Sequence, residues 1–411
     1  MSRAPLAVAA LVVVATAMAA TGLAAPGPPT ASQQSPAVGP SPDTTRVLRL
    51  TSADAAAFGT PALSVTGTLA AGATGISTAY RLERLDTALS VANTDAERRA
   101  RIRTELDWAT NRTTALVQRE RDARDAYAAG TITTTEFLTI VGSVHAAATR
   151  IEGFLGGPDD NRALYTLADS YSNLTTRISQ VNTRLQTVQG PVRERLAAVV
   201  DGDRDAVRVH VTVGDGVMLA TRDGDTYVRE TVVPGNLDAA TTADYGDPIA
   251  FIGATYPWTK NHSRGVSYSL LGQYAVLFSA SHDHGELSLY YDPSTTHVFV
   301  ERQTRRLPQT PASYTTVNAT DTATLSVSEP YAGGPVNVRV ETVTGTPVDT
   351  TISVNGTVVG TTGDSGDRWF VSPAGEYTVA ATVGGDRVTT TVTADPHPPA
   401  PGGNTTTTLP R

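Results

Sequence analysis

The residues with the most chemical potential are His282 and His284, an H-x-H pair followed by Gly285. Alternate residues of a strand share a face. Two imidazoles so spaced at a strand end can ligate one metal ion, with Asp292 or His297 of the next hairpin as a further ligand. The plainer expectation is two polar residues at an exposed turn beside Asp283 and Gly285. No H-E-x-x-H motif or third ligand at fixed spacing accompanies the pair, so no metal or cofactor is assigned. His262 is isolated, and His210 alternates with valines over Val207 to Val211, as a strand residue would rather than a catalytic base. The serines lack a G-x-S-x-G elbow, and the glycines form neither a G-x-G-x-x-G nor a Walker loop. No catalytic residue is nominated, and the chain is expected not to be an enzyme.

A second chemistry is modification. Asn111, Asn173, Asn261, Asn318, Asn355 and Asn404 each begin an N-x-S/T acceptor. That is six of eleven asparagines, where a Ser/Thr-rich background supplies roughly two or three. Glycosylation needs exposure. Asn111 and Asn173 both fall between the apolar positions of helical runs, on the outer face. The competing reading is threonine richness alone.

The balance of charges excludes several classes. Of 32 basic residues only Lys260 is lysine, and the net charge is -8. Arginine over lysine, aspartate over glutamate and abundant threonine resemble a high-GC, halophilic archaeal proteome. In strong salt the Debye length falls to about 3 Å, so the acidity concerns solubility rather than a cationic partner. Nothing is basic enough for a nucleic-acid platform. With no cysteine, disulfides, thiolate catalysis and Cys-ligated zinc are excluded.

These residues must be held by several domains, since 411 residues exceed one core. Residues 1–25 read as an export signal: Ser2-Arg3, then an apolar or small run from Ala4 to Ala25, with Ala17-Met18-Ala19 as a cleavage site. Its other reading is an uncleaved anchor, the one membrane contact expected. Residues 26–45 are a Pro/Gly/Ser linker, and Val47 to Leu50 suggest a short strand. Over residues 46–200 the spacing predicts an antiparallel, coiled-coil-like helical bundle. Helix one, Ala70 to Val91, carries Ile76, Leu82, Leu85 and Leu89. Capping boxes at Thr94/Glu97 and Thr133/Glu136 start the next two helices, the second with an Ile132/Phe137 staple. The fourth run is a zipper of Leu164, Leu167, Tyr171, Leu174, Ile178, Val181, Leu185 and Val188. Its flanks lack complementary charge pairs, so it packs inside its own chain rather than against a second one.

Residues 205–307 predict an α+β domain. Strands are expected at Val207 to Val211, Thr226 to Val233, Gln273 to Ser281, Glu286 to Tyr291 and His297 to Gln303, with a helix from Asp247 to Thr259. Residues 319–394 predict an all-β sandwich with strands at Thr324 to Val327, Val336 to Val343, Thr351 to Val359, Glu376 to Val383 and Arg387 to Val392. Residues 395–411 read as a disordered tail without an anchor.

The run from Gly345 to Gly356 and Pro373-Ala-Gly-Glu-Tyr-Thr-Val379 resemble archaeal fibronectin type III and carboxypeptidase-regulatory-like sandwich modules, which implies a spacer or binding unit. Tyr274 to Phe278, Gly285 to Asp292 and Val298 look like a PepSY-type domain, although Thr296-His297 stands where that family has Thr-Gly. That resemblance implies a helix against an antiparallel sheet, and binding or restraint of extracellular proteases. The three-part order behind an export signal is similar to haloarchaeal exported proteins and implies no particular activity. The leading expectation is an exported, glycosylated, non-catalytic envelope protein at the cell surface, engaged with another envelope or surface protein. The alternatives are a regulator of an extracellular protease and a metal-dependent hydrolase using the His282/His284 turn.

Overall fold

The computed structural model describes residues 48–157, 163–328 and 330–395. The export segment, the linker, the tail and Asn404 lie outside the described residues. Among those described, no helix is long and apolar enough to cross a membrane.

Between residues 65 and 201 the described residues form six helices: α1 (Val65–Ser90), α2 (Asp95–Ala128), α3 (Thr134–Leu155), α4 (Leu164–Leu167), α5 (Ser172–Leu185) and α6 (Pro191–Asp201). Both capping boxes are present: Thr94 and Thr133 accept from the backbone of Glu97 and Glu136, whose carboxylates reach back. The zipper is not one continuous helix. It breaks between Ala168 and Tyr171, where Asp169 and Ser170 favour local backbone hydrogen bonds over a helix. The Tyr171 hydroxyl also donates to Asp95 at the start of α2 (2.7 Å), which fixes the kink. The seam itself is buried in its own chain: Leu164, Leu174, Ile178 and Leu185 join Leu106, Ile151 and Phe154 in one core. Helix α1 differs from expectation in its facing. Leu85 and Leu89 are buried, but Ile76 is 75% exposed, on an outward stripe with Val65, Leu69 and Tyr80.

An eight-stranded antiparallel sheet follows, in the order β1-β2-β3-β4-β8-β7-β6-β5. Its strands are β1 (Ala55–Gly59), β2 (Val209–Val213), β3 (Val217–Asp223), β4 (Thr226–Val232), β5 (Ser263–Leu271), β6 (Ala275–His282), β7 (Gly285–Asp292) and β8 (His297–Arg306). The strand expected up to Leu50 does not form. The Leu48 amide donates to Glu301, and its carbonyl accepts from Arg229, so side chains satisfy this backbone instead of a ladder. The strand lies further on, at β1, paired to β2. Helices α3 and α6 cover one face of β2 to β4, through Phe137, Val141, Leu196, Val211 and Leu219. The helix expected over residues 247–259 is two: α7 (Pro248–Thr255) and α8 (Pro257–His262). Pro257 lacks the N–H that would continue α7, and it drives Tyr256 out of helical geometry (φ -126°, ψ 61°). Helix α7 covers β6 and β7 through Ile252, Val276, Phe278 and Leu289.

The C-terminal strands form two four-stranded antiparallel sheets. One holds β9 (Tyr314–Ala319), β10 (Ala323–Ser328), β11 (Pro335–Thr342) and β14 (Asp367–Val371); the other holds β12 (Thr351–Val354), β13 (Thr357–Thr361), β15 (Gly375–Val383) and β16 (Asp386–Ala394). Leu325, Val338, Ile352, Tyr377 and Val379 fill the space between them. The single strand expected over 351–359 is a hairpin, because Asn355 and Gly356 both take positive φ (48° and 78°), the pair that a tight two-residue turn demands. The hydroxyl of Tyr227 donates to the Gly333 carbonyl (2.7 Å) and ties the sandwich to the large sheet.

Candidate functional site

His282 ends β6 and pairs with Gly285, so Asp283 and His284 make a two-residue turn. Gly285 is required there: a Cβ would stand 1.9 Å from the Thr304 carbonyl of the neighbouring strand. The pair does not present two imidazoles to one ion. His282 is 3% exposed, its Nδ1 accepts from the His284 amide (3.2 Å), and the two rings stand at 88° with centroids 6.2 Å apart. Burial, with Arg305 next, pushes the His282 pKa down to about 4.

Both rings pack on Trp258 instead. The indole stacks with His262 (4.4 Å, 13°) and His284 (5.3 Å, 29°), and meets His282 edge-on. The Nδ1–H of His262 donates to the Trp258 carbonyl (2.8 Å). Asp283, within the turn, is held by Arg264 (2.8 Å). Trp258 and His262 were not visible as members of this cluster from the sequence; the only local hint was their four-residue spacing on one helical turn.

The other proposed ligands are elsewhere. Successive hairpin turns lie at opposite ends of a strand, and β7 separates the His282/His284 turn from Asp292 and His297 by about 24 Å. Asp292 is buried and occupied: one oxygen accepts from the Asp238 amide, the other from the amide and hydroxyl of Ser294. It organises its turn, and His297 is exposed at the start of β8. Among the described residues, no group of three or more His, Asp or Glu is placed to hold a metal.

The most strongly shifted groups form structural networks that the sequence did not announce. Arg193 of α6 is buried between Glu120 of α2 (2.6 Å) and Glu230 of β4. Burial works against its charge, but the two carboxylates hold its pKa above the usual arginine range. Glu230 also accepts from the Val192 amide (2.9 Å), pinning the start of α6 to the sheet. Behind the sheet, Glu301 accepts from Arg229 and from the Tyr256 hydroxyl; burial raises its pKa. His145 and His210 are both driven down to about 4, each mainly by burial. His210 sits in β2 at 1% exposure against Phe58, and neither ring nitrogen has a hydrogen-bond partner. A buried ring cannot serve a solvent-borne substrate as a base.

Two clefts remain. One of about 380 Å³ is lined by Gln118, Arg121, Arg124, Asp215 and Thr187. The other, about 700 Å³, lies where α3 and α5 meet the end of β5, beside Glu152, Tyr165, Asn182 and Leu270. Neither lining contains a histidine or a serine poised on a base.

The five described candidate modification sites are all at the surface. Asn111, Asn173, Asn261, Asn318 and Asn355 are exposed. Asn318 spends its amide nitrogen on the Thr389 carbonyl (2.6 Å), and Asn355 accepts from the Thr378 amide.

Comparison with known families divides the chain into three. Residues 1–205 match a domain of unknown function, DUF7096, and residues 209–311 match a family of unknown function, DUF7094. Residues 314–390 match the archaeal fibronectin-III type-like domain. No curated protein matches the chain. The chain is thus similar in turn to DUF7096, to DUF7094 and, over its C-terminal sandwich, to the archaeal fibronectin-III type-like domain.

Proposed function

We propose that this chain is an exported, glycosylated, non-catalytic envelope protein that acts in surface interaction or structural support. The observation that carries the reading is the exposure of all five described acceptor asparagines, in helices, strands and turns alike. Exposure is what the modification requires, and none of the five is buried. The fibronectin-type sandwich fits a structural or surface role, and the dispersal of the candidate metal ligands argues against the hydrolase reading. Mass spectrometry of peptides from native membranes and medium tests it. Glycans are expected at Asn111, Asn173 and Asn261, whose amides make no hydrogen bond among the described residues, before Asn318. Unmodified peptides at all of these positions would end the proposal.

A second reading, restraint of an extracellular protease through residues 205–307, draws on the layout of α7 against β6 and β7 and on Asp292 as organiser of the last turn. The full chain used as bait on native medium should then retain a protease; a bait that retains none counts against it.

A further inference from the structure

Among the described residues the large sheet ends on β5, which α5 approaches at its C-terminal end, where Ser179 packs on Gly272. Strand β5 pairs with β6 on one side only. Arg264 through Leu270 are all exposed. Natural sheets blunt such edges with lysine, proline, inward charges or short strands. Nine-residue β5 has no proline, lysine or acidic residue, and its single charge, Arg264, is taken by Asp283. The opposite edge is treated differently. Strand β1 has five residues, and its Gly59 packs directly on Thr134 and Leu138 of α3.

The two faces of β5 differ in kind. Val266, Tyr268 and Leu270 pair with Ala280, Phe278 and Val276. Those three are core residues under α7. The core face therefore runs one strand beyond its eight-residue helix, leaving Val266, Tyr268 and Leu270 at 40%, 49% and 43% exposure. The other face of β5 offers Gly265, Ser267 and Ser269, too small to obstruct a neighbour.

We propose that the open edge of β5 is an interface with a second copy of this chain, the two strands pairing antiparallel about a two-fold axis at Ser267. The strand is complementary to itself in this register. Val266 of one copy stands opposite Tyr268 of the other, twice over, which is the aromatic and β-branched pairing that stabilises antiparallel sheets. Leu270 falls opposite the β-bulge at Arg264. No like charges meet, and the contact closes on itself as a two-fold interface must. The three apolar side chains leave roughly 300 Å² uncovered per copy, the size of an interaction patch. The contact of one nine-residue strand with another is small, below about 1,200 Å², the class of weak, transient interfaces. Two copies carrying -8 each repel one another; salt screens that repulsion, so the pair tightens as salt rises.

The cysteine-free chain allows a direct test. In the full chain, Ser267→Cys places one thiol on the axis, with paired Cα atoms about 4.5–5.5 Å apart, inside the span of a disulfide. Ser269→Cys places the thiols four positions apart along the ladder, about 14 Å. Oxidation should give a covalent dimer with the first variant and little with the second. By sedimentation in high salt, the unsubstituted chain should dimerise, and Tyr268→Lys should weaken the dimer at least tenfold while leaving the thermal midpoint of the dilute monomer in place. A chain monomeric at every salt and concentration overturns the proposal. So does equal cross-linking of the two variants, or a monomer that instead binds an extended peptide along β5.

Discussion

Replacing His210 with phenylalanine should remove part of the acid sensitivity of the fold. Its ring is enclosed by β2 and Phe58 (centroids 5.0 Å apart) and has no partner for either nitrogen. Unfolded, the imidazole takes a proton near 6.5; folded, only near 4. Between those values the unfolded chain holds more protons, so stability is intact above 6.5 and drains away as pH falls towards 4. From pH 7 to pH 5 the loss works out at about 1.8 kcal/mol, and the full span is worth about 3.4 kcal/mol. His145 acts with the same sign. Glu301 acts with the opposite sign: burial raises its folded pKa, so it contributes stability at low pH that is lost as pH rises. Comparing the variant with the unsubstituted chain cancels both. Phenylalanine keeps the edge contact with Phe58 and cannot be protonated. Urea unfolding of each protein at pH 7 and pH 5, in the same salt, is the assay. The variant should lose about 1.8 kcal/mol less on acidification. Equal losses in the two proteins would refute the burial argument.

Three further substitutions probe the packing that supports the architecture. Ile178→Ala in the buried seam should cost about 2–5 kcal/mol, and Ile76→Ala on the exposed stripe of α1 less than about 0.5 kcal/mol; urea midpoints that rank them the other way would mean that the seam is not the covered face. Glu230→Gln leaves Arg193 with a single carboxylate in a buried site and should cost about 3–5 kcal/mol. A urea midpoint unchanged by that substitution would show that the bridge between α6 and the sheet carries no stability.

The local signals in the sequence proved accurate because they are short-range. Each capping box is settled within four residues, by a hydroxyl and a carboxylate meeting orphan backbone groups. The seam from Leu164 to Val188 stays buried even though its helix breaks, since its period records which side is apolar and says nothing of continuity. The strand at β5 also had a signal, with Val266, Tyr268 and Leu270 alternating against serines. What alternation does not carry is position in the sheet, and only the sheet order makes β5 an edge.

By itself, then, the sequence determined the helical N-terminal region, the capped starts of α2 and α3, the apolar seam and the C-terminal sandwich, all properties of neighbours along the chain. Only the tertiary structure decided that Trp258 gathers three histidines, that Asp292 is kept from them by the length of a strand, and that Arg193 finds Glu120 and Glu230 across 73 and 37 residues. Periodicity tells a side chain to leave water; which group it meets there is fixed by how separate elements pack, and that pairing leaves no mark on the local pattern.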